Sequence, residues 1–192
     1  MARNSDRQYS VLIVSTSEQF NMVVKRSLPG GRFKTIEIKK SASTAGRALL
    51  ERSYELVIIN SPLSDELGVD FAMETVLKYN ANVILTVPNP IYDDVTEKLV
   101  DHGVITIPKP IDMKALSRGI RIACAMQDKI ISSAAKIKKL ENKMEELRLI
   151  NRAKLILVEK GMSEDEAHEY IIRKAMDNGL TKRQVADEII DD

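Results

Sequence analysis

The sequence is short of residues on which several classes of protein depend. Its single cysteine, Cys124, excludes an internal framework of disulfide bonds. No apolar run reaches the roughly 18 residues that a membrane-spanning helix requires. The amino terminus, MARNSDRQYS, is polar rather than signal-like. We therefore expect a cytoplasmic protein that has no membrane partner.

Features of common enzyme sites are also missing. The two histidines, His102 and His168, lie in different halves of the chain, and Cys124 has no evident base beside it in sequence. No glycine-rich phosphate loop follows the first predicted strand. We therefore predict no enzyme activity, no catalytic residue, no cofactor and no metal site.

An excess of charge of one sign is absent too. The net charge is +1, so no overall basic field indicates a nucleic-acid-binding protein. The distribution is uneven, however, because Arg173, Lys174, Lys182 and Arg183 lie in one short segment whose only acid is Asp177. Such a patch is large enough to hold a few phosphates. The alternative is an ordinary solvated face.

With 44% apolar and 30% charged residues, the composition is that of a globular protein of one large or two small domains. The first 120 residues alternate apolar runs with helical stretches, which predicts a parallel sheet covered on both faces. The predicted strands are Val11–Val14, Ile36–Lys39, Leu56–Ile59, Val83–Val87 and Val104–Ile107; predicted crossover helices include Ala45–Glu51, Val69–Lys78 and Val95–Asp101. The predicted fold class is α/β, a doubly wound, flavodoxin-like domain with five parallel strands.

This fold, with the Lys109-Pro110 pair after the fifth strand, resembles a response-regulator receiver domain over residues 9–125. Thr86 and Lys109 retain that family's pattern. The sequence leaves the cis or trans state around Pro108 and Pro110 open.

Two parts of the receiver pattern are replaced. Receivers hold Mg²⁺ with an acidic pair after the first strand, where this chain has Ser15 and Thr16. They are phosphorylated on an aspartate at the end of the third strand, where this chain has Asn60. An amide is not a nucleophile toward phosphoryl donors, and hydroxyls offer Mg²⁺ no negative charge. Asp65 and Glu66, in the following loop, are wrongly placed to substitute. We therefore predict a pseudo-receiver that is not phosphorylated.

Helix boundaries are marked clearly between residues 153 and 190. Ser163 is followed three residues later by Glu166, and Thr181 by Gln184, so that two capping boxes start two helices. With the helical run before them, they predict a small all-α module of three amphipathic helices, which must pack on one another or on a partner.

The order of residues in this segment resembles the ANTAR module, an RNA-binding domain of transcription antitermination regulators. The matching stretches are Ala153–Lys154, Ile156–Ala167, Arg173–Met176 and the LTKRQVADEII run that ends at Ile190. The resemblance implies an RNA-binding domain over residues 151–192 and an RNA hairpin as partner.

Candidate phosphate contacts in this module are Lys154, Arg173, Lys174, Lys182 and Arg183. Tyr170 or His168 could stack on a base, although the spacing of Tyr170 favours a core position. Thr181 is interpreted first as a helix cap.

The segment between the two domains predicts one long helix from Met113 to about Lys160, because it has no proline and is interrupted only by Gly119. Residues 126–150 form the predicted linker. Heptad a positions are Ile130, Ile137, Met144 and Asn151, and d positions are Ser133, Leu140 and Leu147. They predict a parallel two-stranded coiled coil and hence a homodimer. The alternative is a helix folded back on its own receiver.

These features predict a dimeric transcription antitermination regulator in two-component signalling. Its terminal module would bind a nascent RNA hairpin, and its receiver-like domain would respond to a regulatory protein or sensor by contact. Two alternatives remain at this point: a non-catalytic protein-interaction adaptor of a signalling pathway, and DNA binding through the terminal helices.

Overall fold

The computed structural model describes residues 8–192, and the chain divides into two compact units after Ile130. A 3₁₀ turn at Asn89–Ile91 precedes the fourth helix. The elements in chain order are β1 (Tyr9–Val14), α1 (Glu18–Ser27), β2 (Phe33–Lys39), α2 (Ala42–Glu51), β3 (Leu56–Asn60), α3 (Val69–Tyr79), β4 (Asn82–Pro88), α4 (Tyr92–Val100), β5 (Ile105–Lys109), α5 (Met113–Glu159), α6 (Glu164–Asn178) and α7 (Lys182–Asp191).

The first unit is a parallel sheet with strand order β2-β1-β3-β4-β5. Every residue of β3 is buried, as expected of a central strand covered on both faces. Alternate side chains enter two cores: Leu12 and Val14 pack with α2, α3 and α4, whereas Val11 and Ile13 pack with α1 and α5. The predicted flavodoxin-like fold is confirmed.

Helix α1 is one element that the apolar pattern did not single out. Ser17 caps its amino terminus by accepting a hydrogen bond from the Phe20 amide, and Phe20 and Val24 are its buried residues. A short helix with so few apolar residues shows little helical periodicity, so it is hard to predict unless the cap is recognised.

Two polar contacts fasten α5 to the sheet within the first unit. Asp128 accepts hydrogen bonds from the Tyr9 hydroxyl and, at 2.9 Å, from Arg32. Burial and the bond to Asp128 raise the pKa of Tyr9 to about 12, so its hydroxyl remains a donor at neutral pH. One residue earlier, the Gln127 side-chain oxygen accepts from the Asn82 amide at 2.8 Å. Both contacts, at Asp128 and at Gln127, form where α5 passes the amino ends of the strands.

The second unit consists of the part of α5 that follows Ile130, with α6 and α7. Its fully buried residues include Ala153 from α5, Ile171 from α6 and Val185 from α7. Both predicted capping boxes are present, at the starts of α6 and α7. The structure thus confirms the small three-helix module.

Between these two cores, α5 carries an uncovered apolar seam. We use "seam" for Ile130, Ile137, Leu140, Met144 and Leu147, whose exposed fractions range from 43% to 62%. Residues 133–145 are all exposed. Because α5 is continuous from Met113 to Glu159, the predicted long helix is confirmed. The coiled coil stays a prediction. In the part of the chain that the structure describes, no helix is both long enough and apolar enough to span a membrane.

Candidate functional site

A hydrogen-bonded polar cluster lies at the carboxyl edge of the sheet, where receivers carry their phosphorylation site. Ser15 follows β1, Asn60 ends β3, and Thr86 lies in β4. The Asn60 amide donates to the Ser15 hydroxyl at 3.0 Å, and the Thr86 hydroxyl donates to the Asn60 oxygen at 3.1 Å. All three side chains are buried. The three residues nominated at these positions are therefore brought together.

This cluster is neutral, and its hydroxyl groups also bond to the neighbouring backbone. The Ser15 hydroxyl also accepts from the Ser17 amide at 3.0 Å, and the Thr86 hydroxyl also lies 3.3 Å from the Ile59 carbonyl. Thr16, nominated beside Ser15, is instead exposed. Within residues 8–192, no group of three or more histidine, cysteine or acidic side chains is placed to hold a metal ion.

Lys109 lies at the end of β5, next to the cluster. Its ammonium donates to the Ser61 carbonyl oxygen. Burial lowers the pKa of Lys109, and no acid within residues 8–192 contributes a compensating shift. The Lys109-Pro110 peptide bond is cis, which answers the question that the sequence left open. A cleft of about 470 Å³ opens beside Lys109 and Asn60.

The acids after β3 have structural roles. Asp65 accepts hydrogen bonds from the Ala42 and Ser43 amides at 2.9 and 3.0 Å, and so satisfies the free amides at the start of α2. These bonds lower the pKa of Asp65. Glu66 accepts from the Phe71 amide at 3.3 Å, at the start of α3. Sequence reasoning considered both acids only as substitute phosphoacceptors and missed their role as caps, because the helix that Asp65 caps precedes it in the chain.

Two of the five candidate RNA contacts in the second unit form close ion pairs. The Lys154 ammonium lies 2.8 Å from the Glu164 carboxylate, and the Lys174 ammonium lies 2.9 Å from the Glu188 carboxylate. Their side chains are 17% and 27% exposed. Each pair joins two helices of the module, so these lysines also serve its packing.

The other three candidates are open to solvent. Arg173 and Arg183 lie 3.9 and 4.0 Å from Glu169 and Asp187, on their own helices. Exposed pairs of this kind contribute little, so the guanidinium groups can exchange partners readily. Lys182, at the first position of α7, is exposed and forms no ion pair with any residue the structure describes.

Apolar and aromatic groups accompany these cations. Met176 is 77% exposed and Tyr170 is 39% exposed, so the interpretation of Tyr170 as a core residue is wrong. His168 is exposed as well. Helical spacing alone could not separate the edge of the buried stripe of α6 from its centre, where Ile171 is fully buried.

The fold of the first unit is shared with solved receiver domains. It is similar to the receiver domain of an HD-domain protein from Pseudomonas fluorescens Pf-5, with a TM-score of 0.57, 21% identity, and coverage of 69% of this chain and 97% of that one. It is also similar to a CheY-like receiver from Methanospirillum hungatei JF-1, with a TM-score of 0.55, 18% identity, and coverage of 64% and 98%.

Residues 138–190 match the ANTAR domain family. A relative is the transcriptional regulatory protein PdtaR of Mycobacterium tuberculosis CDC 1551 / Oshkosh, 28% identical over 139 residues, which are 71% of this chain and 67% of the relative. The first unit has the receiver fold of a response regulator. With the ANTAR match at its carboxyl end, the chain has the domain arrangement of an ANTAR-domain response regulator.

Proposed function

We propose that this protein is a transcription antitermination regulator whose α6–α7 module binds a hairpin of nascent RNA. The observation that carries the proposal is the ANTAR match over residues 138–190, in which three exposed cations, Arg173, Lys182 and Arg183, stand near the α6–α7 turn in sequence. By binding this hairpin in the nascent RNA, the protein would prevent a terminator from forming.

These three cations are the proposed phosphate contacts. They are solvent-exposed and held only by long ion pairs or none. Lys154 and Lys174 are proposed as secondary contacts, because each must first leave an acid within 3 Å. In the first turn of α7, the positive end of the helix dipole adds to the attraction for phosphate.

The proposed target is a hairpin loop. The deep groove of an A-form stem does not admit a helix, whereas loop bases offer stacking faces and free edges. Tyr170 and His168 are exposed on the same helix as Arg173 and are proposed to stack on such bases. Stacking of this kind is tolerant of sequence.

We further propose that the receiver-like domain acts without aspartyl phosphorylation. Asn60 is tied to Ser15 and Thr86 by both ends of its amide, and the cluster has no carboxylate for Mg²⁺. A regulatory protein or sensor would therefore shift the protein between states by contact.

The seam of α5 supports a parallel homodimer. Exposed apolar side chains repeat at heptad spacing, and a second copy of the seam would cover them. Lys129, Lys136 and Lys143 occupy successive g positions. In an antiparallel pair these lysines would face one another, whereas in a parallel pair Lys136 faces Glu141. Lys143 would then meet Arg148, a repulsion moderated by Glu145, which lies 3.7 Å from Arg148 in the same chain.

The proposed function is tested by measuring the binding of hairpin RNA to the full-length protein at two salt concentrations. We expect affinity to fall steeply with salt. A Lys182→Ala, Arg183→Ala double variant should bind more weakly and reduce the logarithmic salt slope by about 2, roughly one per phosphate contact. The matched control is Lys138→Ala, Lys139→Ala, which removes the same charge from exposed positions of α5 and should leave binding unchanged.

Other outcomes would favour the alternatives. No binding at low salt by a protein confirmed as a dimer would support the adaptor. Preference for duplex DNA over hairpin RNA of equal length in direct competition would support DNA binding instead.

A further inference from the structure

The cleft beside Lys109 is built entirely from the first unit. One wall comes from the start of α1, from Ser17 to Val23, and the other from the chain that leaves β5, from Lys109 to Met113. Asn60, at the end of β3, lies between them. At about 470 Å³, the cleft is within the usual range for a small-molecule site.

The charge of this cleft is unbalanced. Lys109 is the one charged residue among those that line it. In a phosphorylatable receiver, carboxylates would stand opposite, but here the neighbouring positions are Ser15, Thr16 and Asn60. Among the residues that the structure describes, its ammonium donates only to the Ser61 carbonyl, which leaves N–H donors unused. Burial also lowers the pKa of Lys109, as expected of an ammonium without a carboxylate partner.

The rest of the lining is uncharged and mixed: Ser17, Gln19 and Asn60 are polar, and the other residues are apolar. Phe20, Val23 and Ile111 present hydrocarbon to the cleft. The Asn60 amide nitrogen uses one hydrogen toward Ser15, and its second hydrogen has no acceptor among the residues described. The Lys109 ammonium and the Asn60 amide, with the hydrocarbon of Phe20, Val23 and Ile111, suit a ligand with an anionic head and an apolar body.

We propose that this cleft binds a small organic oxyanion, with its head group on the Lys109 ammonium and the Asn60 amide and its apolar body against Phe20, Val23 and Ile111. Such a ligand would occupy the position that a phosphoryl group has in phosphorylated receivers, and so gives the domain an input that needs no covalent chemistry. The proposal does not depend on RNA binding or on dimerisation.

Matched small molecules test this site in the full-length protein. The probes are benzoate and hexanoate, each paired with its neutral amide, benzamide and hexanamide, and inorganic phosphate as a head group without a body. Binding is followed by amide chemical shifts in isotope-labelled protein. We expect at least one carboxylate to shift the amides of Ser17, Asn60 and Ile111, and to bind about tenfold more tightly than its amide, as a charge-assisted hydrogen bond implies.

Three variants distinguish the contribution of the Lys109 ammonium to binding from general effects of substitution. Lys109→Met should abolish the preference for the carboxylate over the amide, while Lys109→Arg should retain it. Lys114→Met removes a charge from an exposed position outside the cleft and should change nothing. Because Lys109→Met also loses the bond to Ser61, its fold is checked from the dispersion of the same spectra, and retention by Lys109→Arg provides an independent readout.

Several results would overturn the proposal. These are equal binding of acid and amide, shifts confined to residues outside the cleft, no binding of any probe at millimolar concentration, and loss of the carboxylate preference in Lys109→Arg with its fold intact. If inorganic phosphate binds as tightly as the carboxylates, the apolar walls contribute nothing and the organic part of the proposal fails.

Discussion

At the scale of single residues, the polar cluster at the carboxyl edge of the sheet is buried, neutral and hydrogen-bonded. Removing one carboxylate from a charged site would leave buried groups unpaired, which is costly. Here Ser15, Asn60 and Thr86 are neutral and bond to one another. The cluster therefore contains no buried charge that lacks a partner.

The cluster leads to a prediction about phosphorylation. Acetyl phosphate with Mg²⁺ should leave the mass of the protein unchanged, because Asn60 is not a nucleophile toward phosphoryl donors and the cluster offers Mg²⁺ no carboxylate. Asn60→Asp alone should also remain unmodified. The triple variant Ser15→Asp, Thr16→Asp, Asn60→Asp, which keeps Thr86 and Lys109, should gain one phosphoryl group by mass spectrometry. A stable gain of phosphate on the wild-type domain would contradict the proposed mechanism.

Asp65 gives a prediction about pH. Its pKa in the folded protein lies below the ordinary aspartate value of 3.8, because two amides of α2 donate to the carboxylate. Its stabilising effect is therefore present above pH 3.8 and lost as pH falls through the lower folded-state pKa. Asp65→Asn should lower the thermal midpoint of the first unit at pH 7. The difference from wild type should shrink as the pH falls below 3.8, measured by circular dichroism.

The variant Asp70→Asn provides a control, because Asp70 is exposed and pairs with Lys98 at 3.2 Å. Since surface pairs contribute little, Asp70→Asn should change the midpoint much less. An equal change in both variants would argue against the capping role of Asp65.

The sequence predicted some of these residues better than others. Ser15, Asn60 and Thr86 could be placed because parallel strands end at one edge, so residues that follow them must meet there. The pairing of Lys154 with Glu164 and of Lys174 with Glu188 could not be predicted, since it depends on which faces of the helices meet. The exposure of Tyr170 was missed for the same reason.

At the scale of elements, two glycines should respond to the same substitution in opposite ways. Gly179 ends α6 in the left-handed region, at φ 64°, where a side chain is strained. Gly46 lies inside α2, and a methyl group there would meet nothing within 4 Å. Gly179→Ala should therefore destabilise the second unit by about 1 kcal/mol, and Gly46→Ala should stabilise the first unit by about 0.5–1 kcal/mol.

Hydrogen exchange measures both effects, because amides of each unit report on their own unfolding. Each substitution should alter protection in its own unit and leave the other unchanged. If Gly179→Ala proved neutral, the left-handed cap would not govern the end of α6.

The α5 seam gives the second prediction at this scale. Leu140, at a d position, is 62% exposed in the single chain, and dimerisation would bury it. Leu140→Ser should raise the dimer dissociation constant by more than about tenfold, since losing a packed leucine costs about 2 kcal/mol or more. Sedimentation equilibrium measures the change.

Asn142→Ser is the matched control, because residue 142 lies on the outer face of the predicted coiled coil and is exposed. It should leave the dissociation constant unchanged. Equal effects of the two variants, or a wild-type protein that remains monomeric, would remove the support for pairing through the seam.

For the whole molecule, α5 is the element that both units share. Leu116 and Ile120 belong to the core of the first unit, and Ala153 and Leu157 belong to that of the second. The periodicity and the absence of proline were enough to predict one helix throughout. They could not predict how it is held at the sheet, because the bonds from Tyr9 and Asn82 join residues far apart in sequence.

A parallel dimer would carry two RNA-binding modules, so the number of hairpins in the RNA should matter. Once one module has bound the first hairpin, the second hairpin of the same RNA would be at a millimolar effective concentration near the other module, provided that the spacer is long enough. We expect wild type to bind an RNA with two hairpins and a flexible spacer on the order of a hundredfold more tightly than one hairpin. Leu140→Ser, assayed below its dimer dissociation constant, should lose this advantage and retain the single-hairpin affinity, while Asn142→Ser retains both. A two-hairpin advantage that survives in a monomeric Leu140→Ser protein would show that avidity does not come from the seam.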